Sequence, residues 1–148
     1  MLLLPDPAAT EAAGALLATV LRPGDAVALA GDLGAGKTTF ARGLLAALGL
    51  EGEAPSPSFA IVQAYEPPEI RFPVWHIDLY RIDRPEEALE LGLDDARADA
   101  ALVIEWPERL GSALWADTLH LHLATEPGGA RRLTWEAPAS WETRWPPR

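Results

Sequence analysis

The stretch "ALAGDLGAGKTTFARG", residues 28–43, decides the fold of this chain. Gly31-x-x-x-x-Gly36-Lys37-Thr38 has the spacing of a loop that wraps phosphates with successive backbone N–H groups. Glycines give such a loop the dihedrals it needs and let the backbone approach an anion closely. The apolar run "AVALAG", residues 26–31, reads as a short buried strand before the loop, and "KTTFARGLLAALGL" resumes helical periodicity after it. The helix then points its unpaired N–H groups and positive dipole end at the anion. Gly31, Asp32, Leu33, Gly34, Ala35, Gly36, Lys37, Thr38 and Thr39 are therefore the predicted phosphate cradle. Lys37 is the single lysine, and the other eleven basic residues are arginines. An ammonium is a compact point charge that reaches the β/γ-phosphates, whereas a wide planar guanidinium does not fit the same space. The Thr38 hydroxyl is the expected Mg²⁺ ligand.

Working outward, composition bounds the rest. The chain has 148 residues, 49% hydrophobic and 23% charged, which suits one soluble domain over 1–148. No eighteen-residue apolar run exists, so no membrane span is expected. "MLLLPDP" lacks a basic n-region and does not read as a signal peptide. Cysteine is absent, which removes disulfides and thiolate metal sites and agrees with a cytoplasmic setting. A net charge of −10 repels phosphate backbones on average and argues against unaided nucleic-acid binding.

Along the chain, residues 6–21 read as a first helix with an acidic start. Residues 60–65 and 74–80 read as strands, 84–93 as a short helix with proline in its first turn, and 101–106 as another apolar strand. "TLHLHLA" and "RRLTWEA" alternate around "TEPGG" and predict a hairpin with one wet face. The tail "SWETRWPPR" reads as frayed. The interleaving predicts an α/β P-loop fold with a mainly parallel central sheet, flanking helices and antiparallel C-terminal strands.

Such a cradle needs an acidic partner at the end of a neighbouring strand, to hold Mg²⁺ or act on water. Asp78, closing "VWHID", and Glu105, closing "ALVIE", both qualify, because ligands bind at the carboxyl ends of strands in open α/β sheets. His76 shares a strand face with Asp78 and reads as structural. His120 and His122 read as one sheet face without a role. Ser56-Pro57-Ser58-Phe59 falls where a γ-phosphate-sensing loop or an ordinary proline turn would serve equally. Trp106 suits either a base stack or core filling.

In order, "GDLGAGKTTFARG", "SPSF", "HIDLYR", "EALELGL" and "IEWPE" resemble the bacterial TsaE family of tRNA threonylcarbamoyladenosine biosynthesis proteins. The resemblance runs from about Thr10 to Glu108. It implies an ATPase with Mg²⁺ and ATP that works with TsaB and TsaD and meets tRNA only through them. In such a complex the chain hydrolyses ATP and supports turnover without transferring the threonylcarbamoyl group. The resemblance further implies Lys37 on the phosphates, Thr38 and Glu105 on Mg²⁺, and Asp78 on water or the metal shell. It places Ser58 at the γ-phosphate, Trp106 beside the site, Thr10 by the adenine and Arg132 near the nucleotide. Ser58 stands where the family has threonine, which keeps the hydroxyl and loses a methyl.

Two other classes compete. A small-molecule kinase would use the same loop with a nearby Asp as base, but no arginine-rich lid segment is evident. A GTPase would need an N/T-K-x-D element, and the chain has neither asparagine nor a second lysine.

Overall fold

The computed structural model describes residues 1–32, 34–52 and 61–147. Leu33 and Ser58, with the rest of 53–60, lie outside the described residues. Among those described, seven strands form one sheet: β1 (Leu2–Leu4), β2 (Ala26–Ala30), β3 (Val62–Tyr65), β4 (Val74–Asp78), β5 (Ala101–Glu105), β6 (Leu119–Thr125) and β7 (Arg131–Glu136). Their order is β1-β7-β6-β2-β5-β4-β3. The central four, β6-β2-β5-β4, run parallel, while β3, β7 and β1 are antiparallel to their neighbours. The expected parallel centre and antiparallel C-terminal hairpin are both present.

Burial follows from the connections. β2 and β5 are crossed by helical segments on both faces, so they carry continuous apolar runs rather than alternation. β6, nearer the sheet's end, alternates strictly, with Leu119, Leu121 and Leu123 buried and His120 and His122 exposed. One core holds Val27, Leu29, Val103 and Leu121 beneath α1 (Pro7–Ala18) and α2 (Lys37–Ala47). The opposite core holds Ile77, Leu102 and Ile104 beneath α3 (Pro85–Leu89) and α4 (Leu93–Arg97). The second of these short helices, α4, is an addition to the single helix expected there.

α1 starts where its sequence says it should. Asp6 caps it by accepting the Ala9 N–H at 2.8 Å, and Pro7 occupies the first turn, where its missing N–H costs nothing. Leu17, Phe40 and Leu44 are fully buried between α1, α2 and the sheet, each worth roughly 1.5–3 kcal/mol. The two helices touch backbone to backbone. A Cβ on Gly14 would meet the Phe40 carbonyl oxygen at 2.0 Å, and one on Gly43 would meet the Glu11 carbonyl oxygen at 2.0 Å.

The two terminal segments are both ordered, and one of them differs from expectation. Leu2–Leu4 is a strand, pairing antiparallel with β7 and burying Leu4. The tail is packed and not frayed. Trp141 and Trp145, one helical turn apart, are only 1% and 2% exposed, and Trp145 meets Trp135 edge-on at 5.7 Å. Arg144 binds both carboxylate oxygens of Asp25 and the Val20 carbonyl oxygen, tying the tail to the turn that enters β2. The apolar area of two indoles outweighs the segment's lack of periodicity.

An alanine in place of an open helical glycine stabilises by about 1 kcal/mol. Here the sign should reverse. Gly14→Ala and Gly43→Ala should each lower the unfolding free energy by about 2 kcal/mol or more, because two packed backbones must separate. Urea denaturation of each variant measures this, and a gain in stability would contradict the close crossing.

Candidate nucleotide-binding site

The cradle sits where β2 ends and α2 begins. A Cβ on Gly31 would meet the Leu123 carbonyl oxygen of β6 at 2.5 Å, so only glycine lets β2 leave the sheet this close to its neighbour. Gly36 caps α2 with φ +102°, a left-handed conformation that costs side-chain-bearing residues strain. No side chain caps this helix, in contrast to α1, so its first-turn N–H groups face the loop unclaimed by a capping group.

Lys37 is buried, with 4% of its surface exposed, and its ammonium donates to the Gly31 carbonyl oxygen inside the loop. The Nζ also lies 3.6 Å from the centre of the Trp106 ring. Burial holds the ammonium below the usual lysine pKa, and the charges of Glu105, Glu108, Asp78 and Asp32 partly restore it. Burial leaves the ammonium in need of an anionic partner, while the same carboxylates that supply it oppose a second anion unless a divalent cation screens them.

Trp106 reaches this position through its own backbone. Its φ of +59° is the left-handed region, rare for a bulky side chain and costing on the order of 1–3 kcal/mol. Tyr80 also packs against the indole, tilted, with ring centres 4.9 Å apart. Strain of this kind persists only where neighbours hold the ring in place, here Tyr80 and Lys37.

The two carboxylates end neighbouring parallel strands in register, Asp78 beside Glu105. Both therefore point to the α1–α2 face, with His76 and Val103 one pleat back. Asp78 is half-buried, and its Oδ1 accepts the Tyr80 N–H at 2.9 Å. Glu105 is 3% exposed, and its Oε2 lies 2.5 Å from His76 Nε2. An imidazole donating from Nε2 leaves Nδ1 bare, and Nδ1 finds no partner among the described residues. Sequence reasoning placed His76 on the right face but missed this bond, because it depends on the register between β4 and β5.

Thr10 is buried in α1, and its methyl lies 3.5 Å from where a Cβ on Gly36 would stand. It lines a small cleft of about 60 Å³ with Asp6, Gly36, Thr39, Gly129 and Arg131. The arginine here is Arg131 and not Arg132. Arg131 donates to the Gly34 and Ala35 carbonyl oxygens, both at 3.1 Å, bracing the loop from β7. Arg132 points to the other sheet face and pairs with Glu126 at 3.1 Å on the surface. Adjacent strand residues face opposite ways, so only the register that buries Leu133 distinguishes the two.

Thr38, Glu105 and Asp78 supply only oxygen donors, the set a small hard cation prefers. Among the described residues, no cluster of three or more His, Cys, Asp or Glu forms a metal cage by itself.

The family model for threonylcarbamoyl adenosine biosynthesis protein TsaE matches residues 4–133. A tRNA threonylcarbamoyladenosine biosynthesis protein TsaE from Streptomyces coelicolor is 40% identical over 111 residues, 74% of this chain and 75% of that one. Its counterpart from Bacillus subtilis is 33% identical over 133 residues, 89% of this chain and 82% of that one. Among solved structures, Bacillus subtilis YdiB superposes with a TM-score of 0.77 at 28% identity, covering 94% of this chain and 85% of that one.

If Arg131 braces the loop, Arg131→Ala should speed amide hydrogen exchange at Gly34 to Gly36 about ten-fold, the loss of roughly one charged hydrogen bond. The urea midpoint should hardly move. Hydrogen exchange read by mass spectrometry checks this, and unchanged exchange would remove Arg131 from the loop's support.

Proposed function

The chain belongs to the TsaE family of threonylcarbamoyl adenosine biosynthesis proteins, and on that premise we propose that it is a Mg²⁺-dependent ATPase. Family membership connects it to threonylcarbamoyladenosine formation in tRNA. The finer reading is that it hydrolyses ATP in a cytoplasmic complex with TsaB and TsaD. There it supports their repeated modification of the adenosine beside the anticodon and does not transfer the group itself. Its net charge of −10 agrees with reaching tRNA only through those partners.

One observation carries the ATPase reading. A buried ammonium sits in a glycine loop at a helix start, facing two strand-end carboxylates in register. In this reading the first-turn N–H groups of α2 and the Lys37 ammonium hold the β- and γ-phosphates. Lys37 would exchange its Gly31 carbonyl partner for phosphate oxygen. Thr38 and Glu105 are the residues that would hold Mg²⁺, with His76 fixing the carboxylate. When bound, the ion supplies charge neutralisation on the phosphates. Asp78, oriented by the Tyr80 N–H, positions the attacking water. The cleft beside Thr10 takes the base end of the nucleotide, with Arg131 in the place that the resemblance assigned to Arg132. Ser58 at the γ-phosphate rests on its motif alone. Family membership favours this reading over the small-molecule kinase.

Phosphate release from ATP and GTP tests it. Lys37→Ala should abolish hydrolysis, and Glu105→Ala should weaken nucleotide binding and raise the Mg²⁺ concentration that hydrolysis requires. Asp78→Asn should bind ATP nearly normally and turn over about 10²-fold or more slowly. Undiminished hydrolysis in Lys37→Ala would overturn the site.

Partner dependence is tested separately. Hydrolysis should be slow in isolation and rise when the TsaB–TsaD pair is added. By linkage, whatever factor the ATP state gains in affinity for that pair, the pair returns to ATP. Titration with an ATP analogue, ADP or no nucleotide reads this, and equal affinities without stimulation would defeat it.

A further inference from the structure

On the sheet face opposite the nucleotide site lies a second concavity, of about 230 Å³. Leu89 and Leu93 of the α3–α4 pair form one wall, and Leu110, Ala113 and Trp115 form the other. Leu89 stands 64% exposed at the rim of this concavity, and Asp94 and Asp95 line it beside the apolar side chains. The far wall is stiffened rather than loose. The Trp115 indole N–H donates to Asp94 at 2.6 Å, and the Arg97 guanidinium stacks over the same ring at 5.0 Å. The volume is below the ~300–1,000 Å³ of small-molecule pockets, and suits one or two apolar side chains.

The surroundings state the sign of the occupant. Residues 83–99 carry seven carboxylates and two arginines, and one of those, Arg97, is already paired with Asp117 at 2.6 Å. Nucleic acid and acidic segments are repelled here, while a basic segment is drawn in. We propose that this groove docks a basic segment of a partner protein, which inserts an aliphatic or aromatic side chain between Leu89 and Trp115 and sets its lysines or arginines against the α3–α4 carboxylates.

The groove's walls leave from the two neighbouring strand ends that carry Asp78 and Glu105. One follows Asp78 into α3, and the other follows Glu105 and the left-handed Trp106 into the turns that bear Leu110 and Ala113. The Leu79 N–H donates to the Glu105 carbonyl oxygen at 3.2 Å and joins the two exits. The docking inference does not depend on nucleotide binding, and stands on the groove and its charge.

The probe is a fluorescein-labelled amphipathic peptide of leucine and lysine at helical spacing, read by anisotropy against the full chain. Leu89→Ser keeps the net charge and alters a side chain already mostly in solvent, so the fold survives. It should weaken binding about ten-fold, as loss of a central anchor does. Ala113→Arg should block the groove, and the glutamate-for-lysine peptide should not bind. Hydrogen exchange should show protection across residues 88–95 and 110–115 on binding. Equal affinity for wild type and Leu89→Ser would reduce the interaction to diffuse charge attraction and overturn the proposal. Self-association of the protein that Leu89→Ser abolishes would overturn it in favour of a second copy.

Discussion

The contact between α1 and α2 at Gly14 and Gly43 constrains everything built around the loop. With no Cβ at either crossing point, the helix backbones lie against each other and Leu17, Phe40 and Leu44 seal the space beneath them. That close approach brings the first turns of α1 to the first turn of α2, which is why Thr10 reaches Gly36. A pair of larger residues would lift α1, opening the cleft beside Thr10 and withdrawing one wall of the site. The helix packing and the shape of the cleft beside Thr10 are therefore set by the same two positions.

The electrostatics are arranged by the sheet. Parallel register puts Asp78 and Glu105 level at the strand ends, and the pleat turns both toward the face that carries Lys37. Desolvation works against the ammonium, while the surrounding carboxylates work for it. His76 holds one of those carboxylates still, and Trp106 covers the cation at the cost of a strained backbone. Each of these groups has its own partner, so the site is rigid on the strand side.

Much of this was legible in the chain itself. A strand, a glycine loop and a helix in succession leave little freedom, and the carboxylates at the ends of apolar runs mark the strands' carboxyl edge. What stayed hidden depends on register between segments far apart in sequence. Arg131 and Arg132 are indistinguishable until β7 is paired, and the His76–Glu105 bond exists only because β4 lies beside β5. The tail misled for another reason. Its prolines and charges suggest solvent, and the one cue to burial was two tryptophans a helical turn apart. Leu2–Leu4 is too short for any periodicity to register.

The strand order also has a kinetic side. β2 carries the loop, yet both of its neighbours, β5 and β6, come from residues beyond 100. β1 must wait for β7, and the turn at Asp25 must wait for Arg144. Contacts of such long sequence separation close late, since chain entropy is spent before they return anything. During synthesis the middle strand of the sheet emerges early with both ladder edges open, a template for wrong pairing. The glycine loop gains its Arg131 brace only once the hairpin that bears this residue has docked, so this contact too belongs to the late, long-range set.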